Sequence, residues 1–153
     1  MGLPSFEERE GMFKMKKMID LLIHPYISVG DIRFGMKRED IELLFDKEPD
    51  TVLQDYLKRI DLRWENISIK LNRKGLVNEV SLINGKYKAI YKDLDVLTDD
   101  NIMKILNKIE KPLNTVGYKV YFEAGIALTG FGRNNEEKTV SVFAKELIKL
   151  WKE

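Results

Sequence analysis

Cysteine is missing from the 153 residues, and histidine occurs once, as His24. The first absence excludes disulfides, thiolate nucleophiles, cysteine-based zinc sites and lipid attachment through sulfur, and it suits a reducing cytosol. A lone histidine is too few for the usual histidine zinc sets, and any Ser-His-Asp relay would have to use it. It stands before Pro25 at the end of an apolar helical pattern, which reads as a helix end whose carbonyls an imidazole can satisfy. Neither sign of charge is in excess. With 26 Lys and Arg against 25 Asp and Glu, no global field would attract nucleic acid or anionic lipid. No apolar run approaches the ~20 residues that span a bilayer. The opening "PSFEEREGMFKMKKMIDLLIH" places acids before bases and has no small-residue cleavage site, so it does not read as a signal peptide. The expected location is the cytoplasm, with neither a membrane nor a nucleic-acid partner.

What is present describes a soluble globule: 44% hydrophobic and 33% charged residues. A chain of this size buries roughly 68–70% of its unfolded surface, enough for one self-sufficient domain spanning 1–153. Ser5 and Glu8 form an S-x-x-E capping box behind Pro4. The apolar stripe Phe6, Met12, Phe13, Met15, Met18, Ile19, Leu22, Ile23 then predicts an N-terminal helix over 5–24. A helix follows from about Arg38 to Asp46 before Pro49, and a short second one through Val52, Leu53, Tyr56, Leu57 and Ile60. From Trp64 the period changes to two. Ile67, Ile69 and Leu71 alternate with Ser68 and Lys70, "LVNEVSLI" returns, and Asn84-Gly85 signals a hairpin into "KYKAIY". Helix resumes from Thr98 to about Glu110 before Pro112, and strands follow at 118–122, 126–131 and 139–143. "AKELIKLWKE" closes the chain as a polar helix.

The order of one helix then three strands occurs twice. Met36, Ile41, Leu44 and Phe45 match Leu97, Ile102, Ile105 and Leu106 at one offset, "NISIKL" meets "GIALTG", and "NEVSLI" meets "KTVSVF". The fold expected is α+β: a duplicated α-β-β-β unit, repeat one at about 31–92 and repeat two at about 93–153. It forms one antiparallel sheet with the helices on a single face. Ile41, Leu44, Ile69, Val80, Ile102, Ile105, Ile126 and Val142 are its expected core.

Three stretches invite chemistry. "GFGRNNEEK" holds a Gly-x-Gly, but a strand pattern follows it where a phosphate loop needs a helix. "DLDVLTDD" offers carboxylates but lacks the central glycine and closing glutamate of a calcium loop. Tyr118, Tyr121, Phe122 and Phe131 would suit base stacking, yet their tract has few cations, so packing is the better reading. No metal or cofactor is expected.

The helix entrance "RFGMKREDIELLF" carries the least ordinary feature. Met36 and Ile41 form a hydrophobic staple, while Lys37 occupies the cap position that Thr98 fills in the second unit. From Glu39 to Asp55 the chain carries seven acids and one base, Lys47. Most such runs are solvated helix faces. The functional reading is a docking surface for a basic partner, formed by Lys37, Glu39, Glu42, Asp46, Glu48 and Asp50, with the open face of the sheet as the other place to look.

"FGMKREDIELLFDKEPD" resembles the Gly-Met, charged-helix, proline signature of small bacterial αβ-repeat proteins. These include beta-lactamase-inhibitory proteins, small outer-membrane assembly lipoproteins and short cytosolic proteins, some of them toxin-immunity proteins. It differs in Lys37, where Ser or Thr is usual, and in Phe45-Asp46-Lys47, where a glycine is usual. The resemblance implies a non-enzymatic protein-binding or inhibitor module, such as an immunity protein neutralising a basic toxin domain. The alternative is a small-ligand domain or an enzyme built from Asp, Glu, Lys and Tyr.

Overall fold

The computed structural model of the chain describes residues 18–131 and 137–153. The Ser5–Glu8 capping box and the helix expected over 5–17 lie outside the described residues.

The chain is mixed α+β, dominated by antiparallel strands. Its first described element is not the end of a helix but a strand, β1 (Ile19–His24). "IDLLIH" carries a period of two as well as a helical one, and pairing with a later strand decides between them. A turn at His24–Ile27 leads to β2 (Ser28–Val29) and β3 (Ile32–Arg33), so His24 closes a strand. Helix α1 (Arg38–Phe45) enters from Lys37, and Asp40 reaches back to accept the Lys37 amide hydrogen at 3.2 Å. Four strands follow: β4 (Thr51–Gln54), β5 (Ile60–Trp64), β6 (Ile67–Leu71) and β7 (Val77–Ile83). The second half supplies β8 (Tyr87–Tyr91), β9 (Leu94–Asp95), helix α2 (Ile102–Ile109), then β10 (Leu113–Thr115), β11 (Tyr118–Tyr121), β12 (Ile126–Thr129) and β13 (Thr139–Phe143). A 3-10 turn at Lys145–Leu147 leads into α3 (Ile148–Lys152).

These strands make two sheets rather than one. The larger is fully antiparallel in the order β10-β11-β12-β13-β7-β6-β5-β4, and the smaller runs β3-β2-β1-β8-β9. Its β1–β8 pair is parallel, a departure from the all-antiparallel expectation. Asn84-Gly85 also makes no hairpin from β7 into β8. A type I′ hairpin needs both residues at positive φ, and Asn84 is not there. The Asn84 amide donates to the Lys138 carbonyl, so the chain leaves the large sheet and β8 pairs with β1.

The short helix expected across Val52–Ile60 is absent. Thr51–Gln54 pairs with β5, and the Asp55 carboxylate accepts the amides of Leu57 and Arg59, at 3.0 and 2.9 Å, to close a tight turn. An aspartate that caps its own loop competes with helix. Thr98 is likewise no helix cap: its hydroxyl donates to Asp95, and α2 starts later, from Asn101.

The main core lies between one face of the large sheet and a cover made of α1, α2 and the small sheet. Ile41, Ile69, Val80, Ile102, Ile126 and Val142 are buried in it as expected. Leu44 is not: it is 44% exposed, and Ile105 is only half-buried. Truncating Ile41 to alanine is therefore expected to cost about 2–5 kcal/mol, whereas Leu44→Ala should stay within about 0.5 kcal/mol. Urea unfolding of both variants checks the contrast.

A second, smaller core sits on the opposite face of the large sheet. Phe143, Val120 and Ala127 meet Leu147, Ile148 and Trp151 there. The closing helix therefore packs opposite α1 and α2, and the helices do not share one face. Strand alternation makes this possible, since Val140 and Val142 point to the main core while Ser141 and Phe143 point away.

Candidate functional site

The acidic run is on the surface but carries less free charge than its composition suggests. Lys37, Glu39, Asp46, Glu48 and Asp50 are exposed and Glu42 is half-buried. Arg38, just outside the counted run, pairs with Glu42 at 2.7 Å, and Lys47 pairs with Asp50 at 3.4 Å. Asp55 leaves the group altogether, turned in to Arg59 at 2.8 Å. Glu39, Asp46 and Glu48 have no basic partner among the described residues.

The open face of the large sheet holds a denser constellation. Alternation sends Asp61 and Arg63 of β5, Ser68 and Lys70 of β6, Glu79 and Ser81 of β7, and Thr139 and Ser141 of β13 away from the main core. Arg59, 6% exposed, is the hub. Its Nε donates to Asp55 at 2.8 Å, and its Nη1 donates to Asn78 and Glu79, both at 3.0 Å. The other oxygen of Glu79 faces Lys70 at 3.5 Å and accepts from the Ser81 hydroxyl at 3.4 Å. Ser81 also shares a hydrogen with Ser141 at 2.8 Å across the β7–β13 seam. Beside this network Asp61 accepts from Ser68 and from Arg63 Nε at 3.0 Å.

Burial alone would raise the Asp55 carboxyl, but hydrogen bonds from the Arg59 amide and guanidinium, with the charges of Arg59 and Lys70, hold it below its ordinary value. The Tyr118 phenol is pushed up by burial first, then by the charge of Glu79, so it remains a hydrogen-bond donor at neutral pH.

The sheet curls around this face. Strands stand about 4.8 Å apart, so a flat eight-stranded sheet would separate its outer strands by roughly 34 Å. Yet Tyr56, beside β4, and Thr115 and Val116, at β10, line one cleft of about 700 Å³ with Trp151 and Leu150 of α3. The floor of this trough is polar and its rim is apolar: Tyr56 is 91% and Val116 93% exposed. Such a surface offers hydroxyls, guanidinium and carboxylate on a rigid sheet, flanked by apolar anchors.

Sequence reading points to the open face without finding its members. Ser68 and Lys70 stand out as the polar partners of an alternating strand, but Arg59, hidden in an expected helix, gives no signal. Of the carboxylates in "DLDVLTDD", Asp95 accepts from the Leu97 amide at 3.1 Å and Asp99 from Asn101 at 3.1 Å, the work of turns. Tyr121 is buried with its hydroxyl donating to Asn107, while Tyr118 lies 5.2 Å from the Trp151 ring. Among the described residues no helix is long and apolar enough to cross a membrane. No family model, curated protein or solved structure matches the chain.

Proposed function

We propose that this chain is a protein-binding module of the inhibitor type, with the trough of the large sheet as its main contact surface and the acidic run at its flank. The observation that carries the reading is that loops from the two opposite edges of the sheet converge on one cleft, each presenting a nearly fully exposed apolar side chain, Tyr56 and Val116. Exposed aromatic and apolar anchors around a preformed polar floor are what a protein interface uses to concentrate binding energy.

The chain is read as a duplicated unit, the expected helix and three strands with one further strand, β4 or β10, ahead of the three. The register of β7 against β13 supports this, since it places Ser81 opposite Ser141, its counterpart in the second unit. Duplication accounts for a trough with equivalent loops at both ends. The resemblance of "FGMKREDIELLFDKEPD" to inhibitory and immunity proteins favours a cytoplasmic partner such as a toxin domain, and Glu39, Asp46 and Glu48 favour one with a basic rim. Binding rather than catalysis is the proposed activity.

The test starts with affinity capture from the native cell, followed by measured binding of the identified partner to purified variants. Tyr56→Ala with Val116→Asp should weaken binding by about thirtyfold or more, the scale of a lost interface anchor. Glu39→Lys with Asp46→Lys and Glu48→Lys should mainly slow association, and the slowing should fade in high salt as the Debye length falls to about 3 Å at 1 M. A partner that binds the Tyr56/Val116 variant as tightly as the wild type refutes the trough as the interface.

A further inference from the structure

Among the described residues the outer strands of the large sheet are β10 and β4. β10 is three residues long and follows Lys111 and Pro112. Brevity, lysine and proline are the devices that keep an edge from pairing with another chain. The outer strands of the small sheet, β3 and β9, are two residues each. β4 is the longest of these outer strands at four residues, and Lys47 and Pro49 come ahead of it rather than within it. Its residues Thr51, Val52, Leu53 and Gln54 are all exposed, uncharged and free of proline, with Val52 46% and Leu53 43% accessible.

The register identifies which backbone groups have no partner among the described residues. The Asp55 amide donates to the Arg59 carbonyl, which makes 55 and 59 a hydrogen-bonded pair. Bonded and non-bonded pairs alternate along an antiparallel ladder. Leu53 and Asp61 are then bonded, as are Thr51 and Arg63, while Val52 opposite Leu62 and Gln54 opposite Ile60 are not. The amides and carbonyls of Val52 and Gln54 therefore point outward, away from β5. The side chains agree with an extension of the sheet: Val52 lies opposite Leu62 of the main core, and Leu53 lies opposite Asp61 on the trough face.

We infer that β4 is a strand-addition site, which captures an extended segment of a partner protein carrying lysine or arginine at one end. This deepens the protein-binding reading above and rests on it. The basic character follows from charge: Asp46, Glu48 and Asp50 gather just before β4, and the only base among them is Lys47. Backbone bonds to Val52 and Gln54 supply the pairing, and the alternating pleat sets the side-chain preference, apolar where the segment meets Val52.

The probe is a hexapeptide, Thr-Val-Thr-Val-Lys-Lys, titrated to millimolar concentration into the full ¹⁵N-labelled chain. The expected result is that amide shifts concentrate at Val52 and Gln54 and spread to β5. The same peptide N-methylated on alternate residues, which keeps every side chain but loses one row of donors, should bind about tenfold more weakly. Val52→Pro removes an outward N–H that β5 does not use, so the variant should fold normally and lose the peptide. Any one of four results overturns the proposal: Val52 and Gln54 unmoved, equal binding of the N-methylated peptide, equal binding of a peptide with glutamates in place of the lysines, or dilution-dependent shifts at β4 without peptide. The last would assign the edge to a second copy of this chain. The peptide reads the edge alone, and the partner affinity of the Tyr56/Val116 variant reads the trough, so a failed edge and a failed trough are told apart.

Discussion

Replacing Arg59 with alanine is expected to destabilise the chain by about 3–5 kcal/mol, because it strands two carboxylates that the fold has already removed from water. The side chains of Arg59, Asp55 and Glu79 are 7%, 12% and 8% exposed, and the guanidinium touches both acids and Asn78. Lys70 remains near Glu79, but at 3.5 Å and through a single contact it replaces only part of that charge. Most of the cost is the uncompensated negative charge rather than the value of the ion pairs themselves. Adding Glu79→Gln to Arg59→Ala should therefore recover part of the loss. Urea unfolding at neutral pH measures both variants, and a loss under about 1 kcal/mol for Arg59→Ala would mean that the group is solvated like a surface pair.

The same network predicts an acid limb. The Asp55 carboxyl is lowered from 3.8 in the folded chain, so the unfolded chain takes up its proton first. Its contribution is fully present above the unfolded value and is lost as the pH falls through the lowered folded one. Stability of the wild type should drop across that interval, and Arg59→Ala, which removes the cause of the shift, should flatten it.

Trp64→Ala should cost a comparable amount, about 3–5 kcal/mol. The indole is 5% exposed, stacks on Phe45 with ring centres 4.1 Å apart and planes 9° from parallel, and donates from Nε1 to the Lys47 carbonyl at 3.3 Å. One side chain of β5 thus holds the end of α1, where Asp46 adopts a left-handed conformation that terminates the helix. Hydrogen exchange should show the α1 amides losing protection beyond the global change. Trp64→Phe keeps an aromatic stack and should cost less than the alanine variant. An alanine variant within about 1 kcal/mol of wild type, with α1 still protected, would show that the stack does not anchor the helix.

Particular residues show how far local reading reaches. Ile67, Ile69 and Leu71 announce a half-buried strand because a period of two is a property of the strand itself, and all three are buried. Ile41 and Ile102 are legible as helix positions facing a core for the same reason. Val52 through Ile60 mislead because apolar residues at helical spacing also fit a strand, a turn and another strand, and only the Asp55 carboxylate distinguishes them. Leu44 misleads because the inward stripe of α1 runs from Ile41 to Phe45, which stacks on Trp64, and leaves Leu44 beside it and exposed.

By itself the sequence determined the absence of thiol chemistry, the neutral balance of charge, the α+β class and the inward faces of the central strands. Each follows from composition or from a period that a few neighbouring residues express. Only the tertiary structure decided that Ile19–His24 is a strand beside Tyr87–Tyr91, that the sheet divides in two, and that Arg59 meets Glu79 across the open face. It also brought Tyr56 and Val116 to one cleft and left the outer edge of β4 unpaired among the described residues. Those outcomes depend on which strand edges meet, and alternation specifies which face of a strand is buried but not which strand lies beside it.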